Sequence, residues 1–183
     1  EANGVTISSR PQRAVVLSPS LADVLLALDC ETQLVGASEE CTQSGLEELD
    51  KVSAQDVSAI QGLQPDLVLL DSTSNAVQSD LEDAGLTVLS VDPATDREDF
   101  ERLYSQVSSA FMGGGSGYDE GISTAQDIFI TLDNINRIVP KDTVTTACYL
   151  YDLDSKAVTG DMFGSTIMSY AGVTNVFDSS TGG

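Results

Sequence analysis

The chain has 183 residues, 41% of them hydrophobic, which is enough for one compact domain or one and a half lobes with a closed core. Eight basic residues face 29 acidic ones, a formal charge of −21; such a field repels phosphate backbones and anionic lipid surfaces, so nucleic acid is set aside as a partner and solubility on a crowded or salty surface is the plainest reading. Histidine is absent and the three cysteines, Cys30, Cys41 and Cys148, lack CxxC spacing, so no transition-metal site is expected; a Cys30–Cys41 disulfide and three buried thiols both fit the odd count, with free thiols favoured.

In chain order, Arg13-Ala-Val-Val-Leu17 is a short β-branched strand, and Ser18-Pro19-Ser20 supplies a turn and a helix start. Leu21, Val24, Leu25 and Leu28 follow at helical spacing, Asp29-Cys30 marks the helix end, and Gln33 to Ala37 is the next strand. A polar loop from Ser38 to Ser44 leads to a short acidic helix, then to a helix over Asp56 to Gln61 capped by Asp56, then to the buried strand Pro65 to Leu70. A helix from Ala76 to Ala84, stopped by Gly85, precedes a fourth strand over Thr87 to Val91. Strands alternating with helices predict an α/β fold with a mainly parallel sheet covered on both faces.

An amphipathic helix over Arg97 to Phe111 runs into Gly113-Gly-Gly-Ser-Gly117, which reads as a flexible linker at a lobe boundary. Ile122, Ala125, Ile128, Phe129, Leu132, Ile135 and Ile138 then predict one long helix, stopped by Pro140 and able to brace two lobes. A strand over Thr143 to Tyr151, a helix over Gly164 to Ala171 and a strand over Thr174 to Phe177 complete the chain. The expected division is residues 1–112 as an N-terminal α/β lobe, 113–139 as linker and bridging helix, and 140–183 as an incomplete C-terminal lobe. No apolar run approaches a membrane span, the longest being Val24 to Leu28.

No catalytic constellation is evident. There is no GxSxG or P-loop sequence, and the glycine cluster follows a helix where a phosphate cradle follows a strand.

The segment "RPQRAVVLSPSLADVLLALDCETQLVGASEEC" resembles the opening of the extracytoplasmic binding proteins that serve ABC importers of cobalamin, haem and ferric siderophores. The resemblance continues in order through "KVSAQDVSAIQGLQPDLVLLDS", "LEDAGLTVLSVDP", "GYDEG" and "AVTGDMFGSTIMSYAGVTNVF". It implies two α/β lobes joined by one long, stiff helix, with the solute held in the cleft between them and no cofactor or catalytic metal; a parallel sheet offers its ligand surface at the carboxyl ends of its strands, which here means the loops that begin at Ser18, Ser38 and Asp71. Position by position, it places Ser18, Pro19 and Ser20 after the first strand, Glu39, Glu40 and Cys41 after the second, and Asp71, Ser72 and Thr73 after the third. From the second lobe it adds Tyr149 and Tyr151 beyond the first strand and Asp161, Met162 and Phe163 in the next turn.

Each of these residues also has a structural reading. Ser18-Pro19-Ser20 is a turn with a helix cap, Glu39 and Glu40 are solvated acids, and Cys41 is a small buried group. Tyr149 and Tyr151, two apart, share a strand face that either stacks on a ligand or covers a core. Asp161 and Phe163 lie beside Gly160 and Gly164 in what reads as a turn. Two departures stand out: Asn75 occupies the place where the resemblance implies an acid that docks on a permease arginine, and Asp29-Cys30 replaces a glycine-containing helix end.

The resulting expectation is a periplasmic or cell-surface protein, with or without a lipid anchor, that captures a corrinoid or ferric siderophore and delivers it to an ABC-transporter permease. A histidine-free, arginine-poor chain disfavours divalent metals and strongly anionic catecholates. Two rival readings are a magnesium-dependent hydrolase using Asp71 or Asp161, and a surface interaction module that kept the scaffold.

Overall fold

The computed structural model describes residues 5–141, 145–151 and 156–182. The apolar runs early in the chain are continuous and do not alternate, which suits strands covered on both faces. They form β1 (Ala14–Val16), β2 (Leu34–Ser38), β3 (Asp50–Val52), β4 (Leu67–Asp71) and β5 (Val88–Val91), in the order β3-β2-β1-β4-β5 with every pair parallel. Between them run α1 (Pro19–Ala27), α2 (Val57–Gly62) and α3 (Asn75–Asp83). Val15, Leu17, Val68, Leu70 and Val88 share one buried cluster with Ile60 of α2 and Leu81 of α3. The two-residue period of a strand sends Val16, Leu67, Leu69, Leu89 and Val91 to the other face, and all five are buried, as are Leu21, Val24 and Leu25 of α1.

Two strand origins are tied together at the far edge of this sheet. The Gln12 and Arg13 amides donate to the Asp66 carboxylate at 2.7 and 3.1 Å, and the Arg13 guanidinium donates to the Leu63 and Gln64 carbonyls at 2.6 and 3.1 Å. This sets β1 level with β4. Helix α1 ends without glycine because Asp29 itself takes the left-handed conformation, φ 53°, with the Asp29 amide donating to the Leu26 carbonyl and the Cys30 amide to that of Leu25. At the end of α3 the same left-handed position is held by Gly85, at φ 82°.

Two sequence expectations are corrected here. The acidic stretch before residue 50 is not a helix: it is a turn that leads into β3, and a three-residue edge strand is too short to show a period. The glycine cluster is not a flexible linker either, since α4 (Arg97–Met112) is followed at once by α5 (Gly114–Ile138), a single helix of 25 residues. Only Gly113, at φ 93°, lies between them. A Cβ on Gly117 would stand 2.5 Å from the Ser108 carbonyl oxygen, and one on Gly121 would stand 2.5 Å from that of Tyr104. Tertiary packing of α5 against α4 therefore overrides the poor helix propensity of glycine.

The chain divides within these two helices. Unit 1 comprises Glu1–Pro93 and Arg102–Thr124, and unit 2 comprises Ala94–Glu101 and Ala125–Gly183. Unit 2 has its own aromatic centre, in which Phe100 stacks on Phe163 at 5.0 Å and Phe129 meets Phe100, Phe163 and Tyr170 edge-on at 5.4, 6.2 and 5.6 Å. Arg97 lies 4.9 Å over the Phe129 ring and pairs with Glu101 and Asp133. Beside it are β6 (Thr145–Ala147), α6 (Phe163–Tyr170) and β7 (Val173–Asn175), with β6 and β7 parallel. Residues 143 and 144 of the expected strand lie outside the described residues.

All three cysteines are free thiols, but only Cys30 and Cys41 are buried; Cys148 is exposed. Burial, then the neighbouring Glu31 and Asp29, pushes the Cys30 thiol from the usual 9.0 up to about 11. Below pH 9 the thiol is neutral in both folded and unfolded chains, so this preference for the neutral form is fully present; it is lost as pH rises through about 11, because the unfolded chain ionises first. A native thiol titration with a disulfide reagent at pH 8 is thus expected to modify Cys148 at once and the other two only on unfolding. Rapid modification of two or three thiols would show that the buried assignments are wrong.

Candidate functional site

Because the five strands are parallel, their carboxyl ends lie on one edge, and hydrogen bonds just past the strand ends keep that edge level. The Leu17 amide donates to the Leu69 carbonyl at 2.8 Å, Glu39 to Val52 at 3.1 Å, and Ser72 to Val91 at 2.9 Å. Across the edge the loops follow the order Ser53, Glu39, Ser18, Ser72, Asp92. At ~4.8 Å between strands the four gaps make a rim about 19 Å wide. Such an edge is where open α/β sheets hold ligands.

The three loops expected to face a ligand are brought together on this rim. Ser18 is buried, 3% exposed, and extended at φ −125°, so Pro19 opens α1 at its first position. The expected side-chain cap is not made: Ser18 Oγ meets Ser20 Oγ at 2.9 Å, and only the Ser18 carbonyl serves the helix, accepting from the Ala22 amide at 3.0 Å. Glu39 and Glu40 are exposed, and the Glu40 amide donates to Ser38 Oγ at 3.2 Å. Cys41 turns inward and is fully buried; burial raises its pKa, partly offset by Lys51, whose Nζ donates to the Cys41 carbonyl at 2.6 Å. Asp71 clasps its own loop, accepting from the Thr73 amide at 3.3 Å and from the Thr73 hydroxyl. Ser72 is half-buried and Thr73 is exposed. The side chain of Asn75, the expected docking position, lies outside the described residues.

In unit 2, Tyr149 and Tyr151 flank Leu150, which bridges antiparallel to Ala157. The Val158 amide donates to the Tyr149 carbonyl at 2.8 Å and the Tyr151 amide donates to the Lys156 carbonyl at 3.1 Å. Both rings are open to solvent, 59% and 44% exposed. Asp161 accepts from the Thr159 hydroxyl at 2.6 Å and from the Gly182 amide at 3.1 Å, in that order the causes that lower its pKa. Phe163 belongs to the aromatic centre of its unit. The tyrosines thus form one accessible pair, while Asp161 and Phe163 are engaged internally.

Sequence reasoning missed three parts of the rim. Ser53 to Gln55 follow β3, a strand with no readable period, and Asp92 follows β5 as an exposed acid. Gln43 had no signal at all: its Nε2 donates to the Pro19 carbonyl at 2.8 Å, joining the loop after β2 to the loop after β1. Its Oε1 is shielded from solvent and has no hydrogen-bond partner. Among the described residues no three His, Cys, Asp or Glu side chains gather as a metal site, and no helix is long and apolar enough to cross a membrane.

No protein-family model matches the chain. Over 119 residues, 61% of this chain, it is 31% identical to an uncharacterized ABC transporter substrate-binding lipoprotein, YvrC, of Bacillus subtilis. Over 98 residues, 50% of this chain, it is 34% identical to a cobalamin-binding protein of Halobacterium salinarum. In sequence the chain is similar to substrate-binding proteins of ABC transporters over half or more of its own length. Among solved structures, a possible iron-binding, periplasmic solute-binding protein of Staphylococcus epidermidis superposes with a TM-score of 0.77 at 17% identity, over 95% of this chain and 70% of that one. That likeness shows the fold alone, an α/β arrangement with a five-stranded parallel sheet and a long helix pair. The chain spans 37% of the Bacillus relative's length and 27% of the Halobacterium relative's.

Proposed function

We propose that the strand-end rim of unit 1 is one wall of the solute site of an extracytoplasmic binding protein, and that the solute is cobalamin or a ferric siderophore delivered to an ABC-importer permease. The observation that carries this reading is the level convergence of five parallel strand ends, which sets Ser18, Glu39, Glu40, Asp71, Ser72 and Asp92 along one edge. A rim about 19 Å wide suits a large planar or globular solute better than a bare ion. Sequence relatives named as a substrate-binding lipoprotein and a cobalamin-binding protein support the same class and an extracytoplasmic setting.

Binding to the folded state alone raises stability, by about 2.7 kcal/mol at a ligand concentration of 100 times Kd. With ~2–4 °C per kcal/mol for a chain of this size, the full-length protein is expected to melt about 5–10 °C higher with its solute. A differential scan with a panel of corrinoids and ferric siderophores checks this; no shift with any of them would end the transport reading. The hydrolase alternative makes a different prediction, a magnesium-dependent turnover lost in Asp71→Asn. Against it, the Asp71 carboxylate is already committed to Thr73.

A further inference from the structure

We propose that unit 1 carries a second binding site at the base of its sheet, which takes an organic phosphate between the Arg10 guanidinium and the bare first turn of α5. This site lies at the edge opposite the rim and does not depend on what the rim binds. Residues 7–11 run beneath the strand origins, where Ile7, Ser8 and Ser9 lie beside Asp66 and Thr87, the residues that precede β4 and β5. The same segment and the corner between α4 and α5 enclose a cavity of about 660 Å³, a volume within the range of small-molecule sites. Its polar lining consists of the Arg10 guanidinium, the hydroxyls of Ser8, Ser9, Ser109 and Tyr118, and the backbone of Gly114. Among the described residues no carboxylate lines it, although the chain holds 29 acids. Asp119 and Glu120 occupy exposed positions just beyond Tyr118 without lining the cavity, and Asp66 is held by the Gln12 and Arg13 amides.

Arg10 brings to this cavity a charge that the described residues leave unanswered. A Cβ on Gly113 would stand 3.7 Å from Arg10 Nε and 4.0 Å from Nη2, so the guanidinium lies against the α4–α5 corner. Among the described residues it pairs with no carboxylate and donates to no carbonyl. The nearby Arg13 guanidinium, in contrast, is engaged by the Leu63 and Gln64 carbonyls. An open planar fork of donors suits phosphate, whose oxygens accept several hydrogen bonds at once. The net charge of −21 opposes any anion, but screening over ~8 Å at physiological salt leaves the closest groups to decide, and here the closest ionic group is a cation.

Two glycines supply an independent sign. Gly113 is required by its positive φ, and Gly117 and Gly121 by the backbone of α4. Gly114 and Gly115 are required by neither: both lie in α5 without a positive φ, and a Cβ on either would meet nothing within 4 Å. Glycine is the poorest helix former after proline, so this pair weakens the first turn of α5 with no compensating contact in the protein. Close approach of a ligand to the backbone accounts for it. The Gly114, Gly115 and Ser116 amides precede the first bond of the helix, from the Gly117 amide to the Gly113 carbonyl at 2.9 Å, and stay free to donate to an anion. A phosphate between these amides and Arg10 leaves room for its organic part beside Ile7 and the Tyr118 ring, which is 53% exposed.

Amide NMR titration of the full-length protein with phenyl phosphate, and sedimentation with phosphatidylcholine vesicles with and without phosphatidylglycerol, test the proposal. Phenyl phosphate is expected to move the Gly114, Gly115 and Ser116 amides saturably, and Arg10→Gln to weaken it about tenfold or more. Gly114→Ala with Gly115→Ala is expected to raise the melting temperature of the free protein and yet weaken phenyl phosphate about tenfold, whereas a merely structural role for the glycines would leave the affinity alone. Binding to phosphatidylglycerol vesicles that is lost in Arg10→Gln assigns the phosphate to a lipid headgroup, and binding of phenyl phosphate without vesicle binding assigns it to a soluble compound; either supports the site. Absence of both phenyl phosphate binding and Arg10-dependent vesicle binding, or affinity unchanged in either variant, overturns the proposal and leaves the rim reading untouched.

Discussion

Gly121→Ala is expected to destabilise the protein by about 1–3 kcal/mol, while Gly115→Ala, in the same helix, stabilises it by a few tenths to ~1 kcal/mol. The two substitutions share the intrinsic gain of replacing helical glycine by alanine, so only the surroundings separate them. A Cβ at Gly115 meets nothing within 4 Å. At Gly121 it would stand 2.5 Å from the Tyr104 carbonyl oxygen and 2.7 Å from both the Tyr104 carbonyl carbon and Ser105 Cα. These obstacles are backbone atoms, which no rotamer change can move aside, so α4 and α5 must separate. The overpacking cost therefore exceeds the propensity gain. Urea unfolding of both variants measures the difference, and a Gly121→Ala protein as stable as Gly115→Ala would mean the helices do not approach as closely as described.

Raising sodium chloride from 0.1 to 1 M is expected to lift the melting temperature by about 5 °C or more, roughly 2 kcal/mol at ~2–4 °C per kcal/mol. A net charge of −21 makes the folded chain repel itself, and folding brings those charges closer. The exposed pairs of Arg97 with Glu101 and with Asp133 offset little of this. Salt shortens the screening length from ~10 Å at 0.1 M to ~3 Å at 1 M, which removes most of the repulsion between carboxylates spread over the surface. Thermal scans across a salt series check this. A flat or falling trend would show that the acids are neutralised by some means other than mobile counterions.

Local chemistry made much of the first unit legible. The β-branched run before Ser18, Pro19 at the first position of α1, the Asp56 cap on the Ala59 amide at 2.9 Å and Gly85 after α3 each act within a few residues, and each element stands where those signals put it. The long helix through Ile138 was equally readable, since its apolar stripe repeats over many turns. β3 was not, because three residues on a sheet edge carry no period and their exposed Asp50 and Lys51 look like a loop. The glycine cluster misled for the opposite reason: its composition says flexible, and only the facing backbone of α4 explains why glycines are required in a helix.

Among the site residues the same line can be drawn. Order along the chain was sufficient to name Ser18, Glu39, Asp71 and their neighbours as residues following strands, and parallel pairing then puts them on one edge. Which of those side chains stay available depended on contacts between residues far apart in sequence. Cys41 turns into the core, Phe163 joins an aromatic centre with Phe100 and Phe129, and Gln43 reaches 24 residues back to Pro19. Periodicity and capping are short-range properties that a sequence displays directly. The direction of a polar side chain is settled by whichever distant donor or acceptor the fold carries to it, and that appears only once the chain has closed on itself.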